Sequence, residues 1–476
     1  MTLACAANRV KSARDGFGGI SGVSFALTAI DVVAREAMTL ACAGFLIGGI
    51  DDLALDLVYW WGRFRRRRTL RVAELVSRVK GRIAIFVPAW DEAEVIGAML
   101  TAMLARFGDD DFRIYVGTYP NDRATIDAVA AVAAQDVRVR LVIGRQAGPT
   151  TKADCLNRLW SALDYEERAD GWLARAIVLH DAEDVVHRDE LLVYRALLGS
   201  YSVIQLPVIP LVDRGSRLVG GTYLDEFAEA HAKALVARDM LGAPLPLAGV
   251  GCAIDRALLA DIAERRGGAP FDPDALTEDY ELGLTTAAAG ARQCFARVRD
   301  DHGKLVAVRE YFPATLDAAV RQKARWMIGI ALSGWDRMGW GHATDWRDHW
   351  MRARDRRAPL AVLMLLAAYL ALIAWSISNL LHWLDGSSAP PLAFGLRALL
   401  AINAALLTWR LAMRALFTWR AHGPIEAVLS LPRAVVGNLI AMLAARRAIW
   451  RYVAGLHGAP IQWDKTTHRY PEPGEA

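Results

Sequence analysis

The segment AIVLHDAEDVV, residues 176–186, runs through apolar residues and then sets Asp181, Glu183 and Asp184 almost side by side. Carboxylates crowded at one point repel each other unless a cation neutralises them, and hard oxygen donors of this kind suit Mg2+ or Mn2+ carried in on a diphosphate. On its own, an acidic cluster after a strand is more often a solvated turn. Other segments supply complementary chemistry. GPTTKADCLN, residues 148–157, puts Lys152 at a helix start, where an ammonium beside exposed backbone amides holds phosphate well. Alone, it would read as a surface lysine. LTEDYELG, residues 276–283, gathers Thr277, Glu278 and Asp279 in the first turn of a helix, a place for a general base and equally for N-terminal capping. RQKARW, residues 321–326, places Gln322, Arg325 and Trp326 on one helical face, a cation beside a flat ring, which matches a phosphate and a sugar.

The elements that must position these residues follow from the apolar pattern. Short apolar runs at 82–88, 112–117, 137–144 and 176–180 alternate with helical stretches, as in βαβ units with a mostly parallel sheet covered on both faces. In such sheets ligands sit off the carboxyl ends of the strands, where Asp181, Glu183 and Asp184 fall. PAWDEAEV, residues 88–95, with Trp90 and Glu92, and YPNDRAT, residues 119–125, with Asp122, follow two other strands.

The 476-residue chain is 54% hydrophobic and 23% charged, so it can bury a large core and still hold apolar sequence in reserve. Neither a disordered chain nor a small disulfide scaffold fits. Cys5, Cys42, Cys155, Cys252 and Cys294 are scattered without a C-x-x-C pair, so neither a zinc site nor a disulfide framework is indicated and a reducing compartment is expected. Arg63 and the run Arg65, Arg66, Arg67 and Arg68 adjoin apolar sequence, which points to a membrane surface and not to nucleic acid.

Residues 358–384 contain no Asp, Glu, Lys or Arg, over a length exceeding the roughly 20 residues that cross a bilayer. Residues 391–409 form a second span, interrupted by Arg397. Arg354, Arg356 and Arg357 precede this pair and Arg410, Arg414 and Arg420 follow it, so by the positive-inside rule residues 63–357 are expected in the cytoplasm. Near the amino end one crossing is expected within 37–61, with Asp51, Asp52 and Asp56 at the interface or against protein. Residues 424–443, with Pro432 and Arg433 in the middle, cross, re-enter or lie flat, and the pattern leaves all three open. Trp335, Trp340, Trp346 and Trp350 among basic residues mark 335–357 as an interfacial helix, with an amphipathic helix on the soluble body as the alternative.

Taken in order, an acidic residue after the second strand, a lysine, a D-x-D-like cluster, T-E-D, and Q-x-x-R-W followed by membrane spans resemble a processive family 2 glycosyltransferase of the cellulose and hyaluronan synthase kind. The resemblance covers about residues 80–335 and the flanking spans, and T-E-D with Q-x-x-R-W in this order is its specific part. It implies a single α/β domain, nucleotide-sugar-binding and Rossmann-like (GT-A type), with a mostly parallel sheet, at 80–334. Around it we expect an amino-terminal membrane segment with a basic anchor at 1–70, the interfacial helix at 335–357, a transmembrane region at 358–456 and a loose tail at 457–476. The expected place is the bacterial inner membrane, multi-pass, with the catalytic domain cytoplasmic.

Residue by residue, the resemblance implies that Asp122 and the loop from Trp90 to Glu92 contact the nucleotide and that Lys152 contacts the diphosphate. Asp181 and Glu183 would flank a divalent metal, Mg2+ or Mn2+. Glu278 and Asp279 would be the catalytic carboxylates, with Asp279 as general base, while Gln322, Arg325 and Trp326 would hold the acceptor end and the departing diphosphate. The implied reaction is direct displacement with inversion at the anomeric carbon of a nucleotide-diphosphate sugar. Two departures stand out. The D-x-D position reads Asp181-Ala182-Glu183, so either Glu183 replaces the second aspartate or Asp184 shares the task, and the paired acids after the second strand are reduced to Asn121-Asp122.

The expected partners are the nucleotide-diphosphate sugar, a glycan or lipid-linked acceptor and membrane lipids. Because two sure spans make a poor pore for a growing polymer, an export partner or a homo-oligomer is also expected. Exopolysaccharide synthesis is the resulting expectation. A non-processive transferase acting on a lipid acceptor and a non-enzymatic membrane receptor or assembly component are the alternatives. No cyclic-dinucleotide control domain is expected after the last apolar stretch.

Overall fold

A computed structural model describes residues 4–65, 69–77, 79–457 and 469–471. Arg66, Arg67 and Arg68 of the basic cluster, and nearly all of the expected tail at 457–476, lie outside the described residues. Two compact units are present, Met1–Ala54 with Pro359–Arg410, and Leu55–Ala358 with Leu411–Ala476.

The larger unit is built on a seven-stranded sheet. Its strands are β1 (Ile83–Pro88), β2 (Phe112–Thr118), β3 (Val139–Ile143), β4 (Ala176–Leu179), β5 (Val203–Gln205), β6 (Cys252–Asp255) and β7 (Gln293–Phe295). Their order is β3-β2-β1-β4-β6-β5-β7, and only β6 runs antiparallel to its neighbours. Alternation along β1 sends Ile83, Ile85 and Val87 to one face and Ala84 and Phe86 to the other, and all five are fully buried. Helix Ile96–Phe107 covers the first face through Met99, Leu100 and Met103. Helix Lys152–Asp170 covers the second through Leu156, Leu159 and Leu163. Thr151 caps that helix by accepting the Asp154 amide at 3.2 Å, and Gly171 ends it in the left-handed conformation. Because β1, β2, β3 and β4 are parallel, their carboxyl ends share one edge, where the loops after Pro88, Thr118, Ile143 and Leu179 gather.

A short parallel ladder pairs Val208–Pro210 with Val308–Glu310. Val185 exchanges two backbone hydrogen bonds with Arg309, at 2.8 and 3.0 Å, and so ties the acidic segment after β4 to this ladder.

Among the described residues, four helices are long and apolar enough to cross a membrane: Phe25–Arg65, Ala358–Asp385, Phe394–His422 and Pro424–Leu456. The apolar pattern leads us to expect the first three, and leaves the fourth open. The acidic residues of the first helix find partners. Within the smaller unit, Asp31 accepts from Ser378 Oγ at 2.5 Å and lies 3.1 Å from His382 Nε2, and Asp52 pairs with Arg410 at 3.0 Å. Within the larger unit, Asp56 pairs with Lys233 at 2.6 Å, both side chains 3% exposed. Acids that lipid would reject are met by protein groups instead.

Helix Pro424–Leu456 runs unbroken through Pro432. Arg433 is fully buried, donating to Glu426 Oε2 at 2.7 Å and to Asp225 Oδ1 at 2.8 Å. Its polar stripe, Glu426, Ser430 and Arg433, faces the unit, whereas Ile425, Val428, Leu431, Val435 and Leu439 face outward. That is the reverse of a soluble amphipathic helix and matches an apolar surround. The region 335–357 differs from the single interfacial helix expected there: Ser333–Met338 and Trp346–Arg356 are separate helices, and the Arg356 guanidinium lies over both Trp335 and Trp340 at 5.2 and 5.0 Å.

Candidate active site

Lys152 reaches the shared strand edge from the first turn of its helix. Its Nζ lies 2.6 Å from Asp181 Oδ1 and 3.7 Å from Glu278 Oε1. Burial would push this ammonium down, but Asp181, Glu278 and Asp279 around it hold it well above the ordinary lysine value. Burial raises Glu278 to about 7 and raises Asp279 above the usual carboxylate range, with Lys152 pulling both the other way. Arg325 adds to that opposing pull on Asp279. Gly249 closes the same space: its φ is +78°, and a Cβ added there would stand 2.8 Å from Asp279 Oδ2 and 3.3 Å from Lys152 Nζ. Neither its loop nor its conformation carries a sequence signal that would single it out.

A further carboxylate, missed in the sequence, joins this group. Glu310 is pushed well up by burial and by Asp184, Glu183 and Asp181 beside it, against the pull of Lys152. It arrives through the Val185 and Arg309 backbone pair, a long-range link that a three-residue strand does not announce. Asp184 has a different duty. Its Oδ2 lies 2.7 Å from His180 Nδ1 and accepts the Asp181 amide at 3.1 Å. His180 Nε2 in turn stands 2.8 Å from Glu190 Oε1, which also accepts the Tyr194 hydroxyl at 3.0 Å. Burial alone would leave His180 neutral, but Glu190 and Asp184 hold its titration up at about 10, so an imidazolium braces the loop from beneath.

Asp181, Glu183, Asp184, Glu278, Asp279 and Glu310 thus gather around Lys152, with the His180 imidazolium beneath Asp184 and Arg325 acting on Asp279. Asp184 Oδ1 is buried without a hydrogen-bond partner. An excess of hard oxygen donors in a buried place fits a divalent cation of the Mg2+ or Mn2+ kind. Among the described residues, however, no three His, Cys, Asp or Glu side chains are grouped as a ligand set.

The other loops at this edge are linked to one another. Asp122 Oδ2 accepts the Asp91 amide at 2.6 Å and its Oδ1 the Thr125 amide at 3.3 Å, while the Glu92 amide donates to Thr125 Oγ1 at 2.9 Å. Asp122 therefore commits both oxygens to backbone amides and fixes the loop that carries Trp90 and Glu92. Trp90 stands edge-on to Tyr119 at 5.1 Å, and Asn121 clasps Gly148 through its amide and carbonyl at 2.7 and 2.9 Å.

Gln322, Arg325 and Trp326 lie on helix Leu316–Met327. Gln322 Oε1 is buried without a hydrogen-bond partner, and Trp326 packs on Tyr223 and Phe227 at ring distances of 6.0 and 6.3 Å. The helix passes into a π-helical turn, Ile328–Leu332, where a Cβ on Gly329 would come within 2.5 Å of Thr277 Oγ1. Thr277 of T-E-D therefore packs against the turn that follows Q-x-x-R-W. Thr277 occupies the N-cap position of helix Glu278–Ala288 yet makes no side-chain capping bond, so helix capping does not account for it.

A buried lysine ringed by carboxylates at the carboxyl edge of a mostly parallel sheet, with T-E-D against the turn after Q-x-x-R-W, is the arrangement of a nucleotide-sugar transferase domain. Residues 81–329 match the family model described as Glycosyltransferase like family 2, and the chain belongs to that family. It is similar to bacteriophage adsorption protein B of Escherichia coli strain K12 and to bacteriophage N4 adsorption protein B of Escherichia coli O157:H7. Each is 35% identical over 466 residues, a match covering 91% of this chain and 62% of the relative. The chain thus spans less than two thirds of the length of these relatives. Among solved structures it resembles a mannosyltransferase from Pyrobaculum calidifontis in complex with GDP-Man and Mn2+, with a TM-score of 0.52, 19% identity, and coverage of 86% of this chain and 99% of that one. That likeness shows the GT-A-like fold.

Proposed function

We propose that the chain is a multi-pass protein of the bacterial inner membrane that moves a sugar from a nucleotide-diphosphate donor to a glycan acceptor, with inversion, in exopolysaccharide synthesis. The observation that carries this reading is the meeting of Lys152, Asp181, Glu278 and Asp279, which come from three distant segments, around one buried space. Asp279 takes the proton of the acceptor hydroxyl as that oxygen attacks the anomeric carbon, and burial makes it a stronger base than an ordinary carboxylate. The bond from the anomeric carbon to the phosphate oxygen breaks, and its electron pair leaves with the nucleoside diphosphate. Lys152 meets the charge that grows there. Asp181 and Glu183, with Glu310 beside them, would hold Mg2+ or Mn2+, which when bound neutralises the diphosphate. Trp90, Glu92 and Asp122 shape the nucleotide end, and Gln322, Arg325 and Trp326 the acceptor end and the leaving group.

Membranes containing the chain are expected to incorporate radiolabel from one member of a panel of nucleotide-diphosphate sugars. EDTA is expected to abolish incorporation and added Mg2+ or Mn2+ to restore it. Failure with every donor overturns the reading. Long products support a processive polymerase and single additions a transferase acting on a lipid acceptor. The adsorption role in the names of the relatives favours a second reading, a non-enzymatic receptor or assembly component, which predicts no incorporation at all.

Gly249→Ala is expected to slow transfer about tenfold or more, since a left-handed residue with a Cβ costs roughly 1–2 kcal/mol and the new methyl displaces Asp279 or Lys152. Purified variant and parent compared for initial rate check this. A rate within twofold of the parent would place Gly249 outside the reacting space.

A further inference from the structure

The large cleft of the transferase unit, about 1950 Å3, is not the space described above: neither Lys152, Asp181, Glu278, Asp279 nor Glu310 lines it. Strand alternation explains the separation. Along Val308–Glu310, Glu310 turns to the carboxylate cluster while Arg309 and then Tyr311 turn to the cleft.

Eleven of the residues lining the cleft are arginine or lysine and four are aspartate or glutamate. All four acids accept hydrogen bonds, three of them from neutral amides, so it is the excess of cations over acids that leaves positive charge in the cleft. Asp213 accepts the Gly215 amide at 2.8 Å, Asp239 the Phe295 amide at 3.1 Å, Asp300 the His302 and Lys304 amides at 3.0 and 2.7 Å, and Glu426 the Arg433 guanidinium at 2.7 Å. Several of the cations donate to neutral oxygens: Arg106 to the Tyr470 hydroxyl at 3.2 Å, Arg297 to the His231 carbonyl at 2.5 Å, and Arg299 to the Gly303 carbonyl. Such bonds satisfy a donor and leave its charge uncancelled. Burial pulls the Arg297 guanidinium down to about 10, with Arg299 and Arg63 adding to the effect and Tyr59 opposing it, and lowers that of Arg309, with Arg106 adding and Asp300 opposing. Like charges gathered and partly desolvated are costly unless an anion shares the space.

We propose that this cleft is a second binding site, separate from the donor site, for a phosphate-bearing anion: a lipid phosphate or diphosphate headgroup, or the same group on a soluble molecule. Tyr59, Trp60 and Arg63, at the end of helix Phe25–Arg65, and Phe417 and Arg420, at the end of helix Phe394–His422, stand at the cleft. If those helices span, its mouth lies at headgroup level, so the lipid source rests on the membrane reading above and the site itself does not.

The test uses the full chain in phosphatidylcholine nanodiscs, in EDTA. It is titrated with dioctanoyl phosphatidic acid, with inorganic pyrophosphate as the soluble arm, and with dioctanoyl phosphatidylcholine as the control. Saturable binding of at least one phosphate probe is expected, with none for the control. Arg309→Gln is expected to weaken binding about tenfold, as the loss of one charge-assisted contact does. The exposed pair Arg63→Gln and Arg420→Gln should act in the same direction without touching the interior. Phosphatidic acid binding assigns the lipid source, and pyrophosphate binding alone the soluble one. Absence of saturable binding for both probes, or equal binding by parent and all variants, overturns the proposal. Since the readout is binding, a chain that transfers no sugar still passes or fails it.

Discussion

Asp279→Asn is expected to lower sugar transfer by about 10²–10⁴-fold, the worth of a positioned general base, while the protein folds as before. The amide keeps the size of the side chain and its bond from the Tyr280 amide, now 2.7 Å at Asp279 Oδ1. Burial already disfavours this charge, and Asp181 and Glu278 still stand beside Lys152 when it is removed. Glu278→Gln provides the contrast. Burial holds that carboxyl at about 7, so near neutrality much of it is protonated, and glutamine imitates that form. We expect its rate to stay within about tenfold of the parent. Initial rates at saturating donor and acceptor, with donor affinity measured separately, decide the assignment. If Asp279→Asn retains a third of the parental rate, the base lies elsewhere.

The residues whose types stand out at a strand end or a helix start were legible: Lys152, Asp181, Glu278 and Asp279 each occupy such a place, and the fold had only to bring the places together. Glu310 was not, because its position depends on one backbone pair between Val185 and Arg309 that joins segments distant in sequence. Gly249 was not, since only its φ of +78° and the nearness of Asp279 give it meaning. Asp184 looked equivalent to its neighbours, yet the buried His180 behind the strand claims it. The mostly parallel sheet followed from apolar runs of strand length, but β5, β6 and β7, at three or four residues each, are too short to register as a period.

The apolar pattern left most open around Arg433, and the largest stability effect is expected there. Arg433→Ala would leave Asp225 and Glu426, 0% and 4% exposed, without the cation that now stands 2.8 and 2.7 Å from them. Removing one partner of a buried ion pair costs about 3–5 kcal/mol, because the remaining charge stays desolvated. A window average counts the arginine as an interruption of a span and cannot know that its counter-ion lies 208 residues earlier. Combining Arg433→Met with Asp225→Asn removes charge from both sides of the pair and is expected to recover part of the loss. Thermal unfolding in detergent measures both. A melting temperature for Arg433→Ala within a degree of the parent would mean that water reaches these groups and that the polar stripe of helix Pro424–Leu456 does not face the protein.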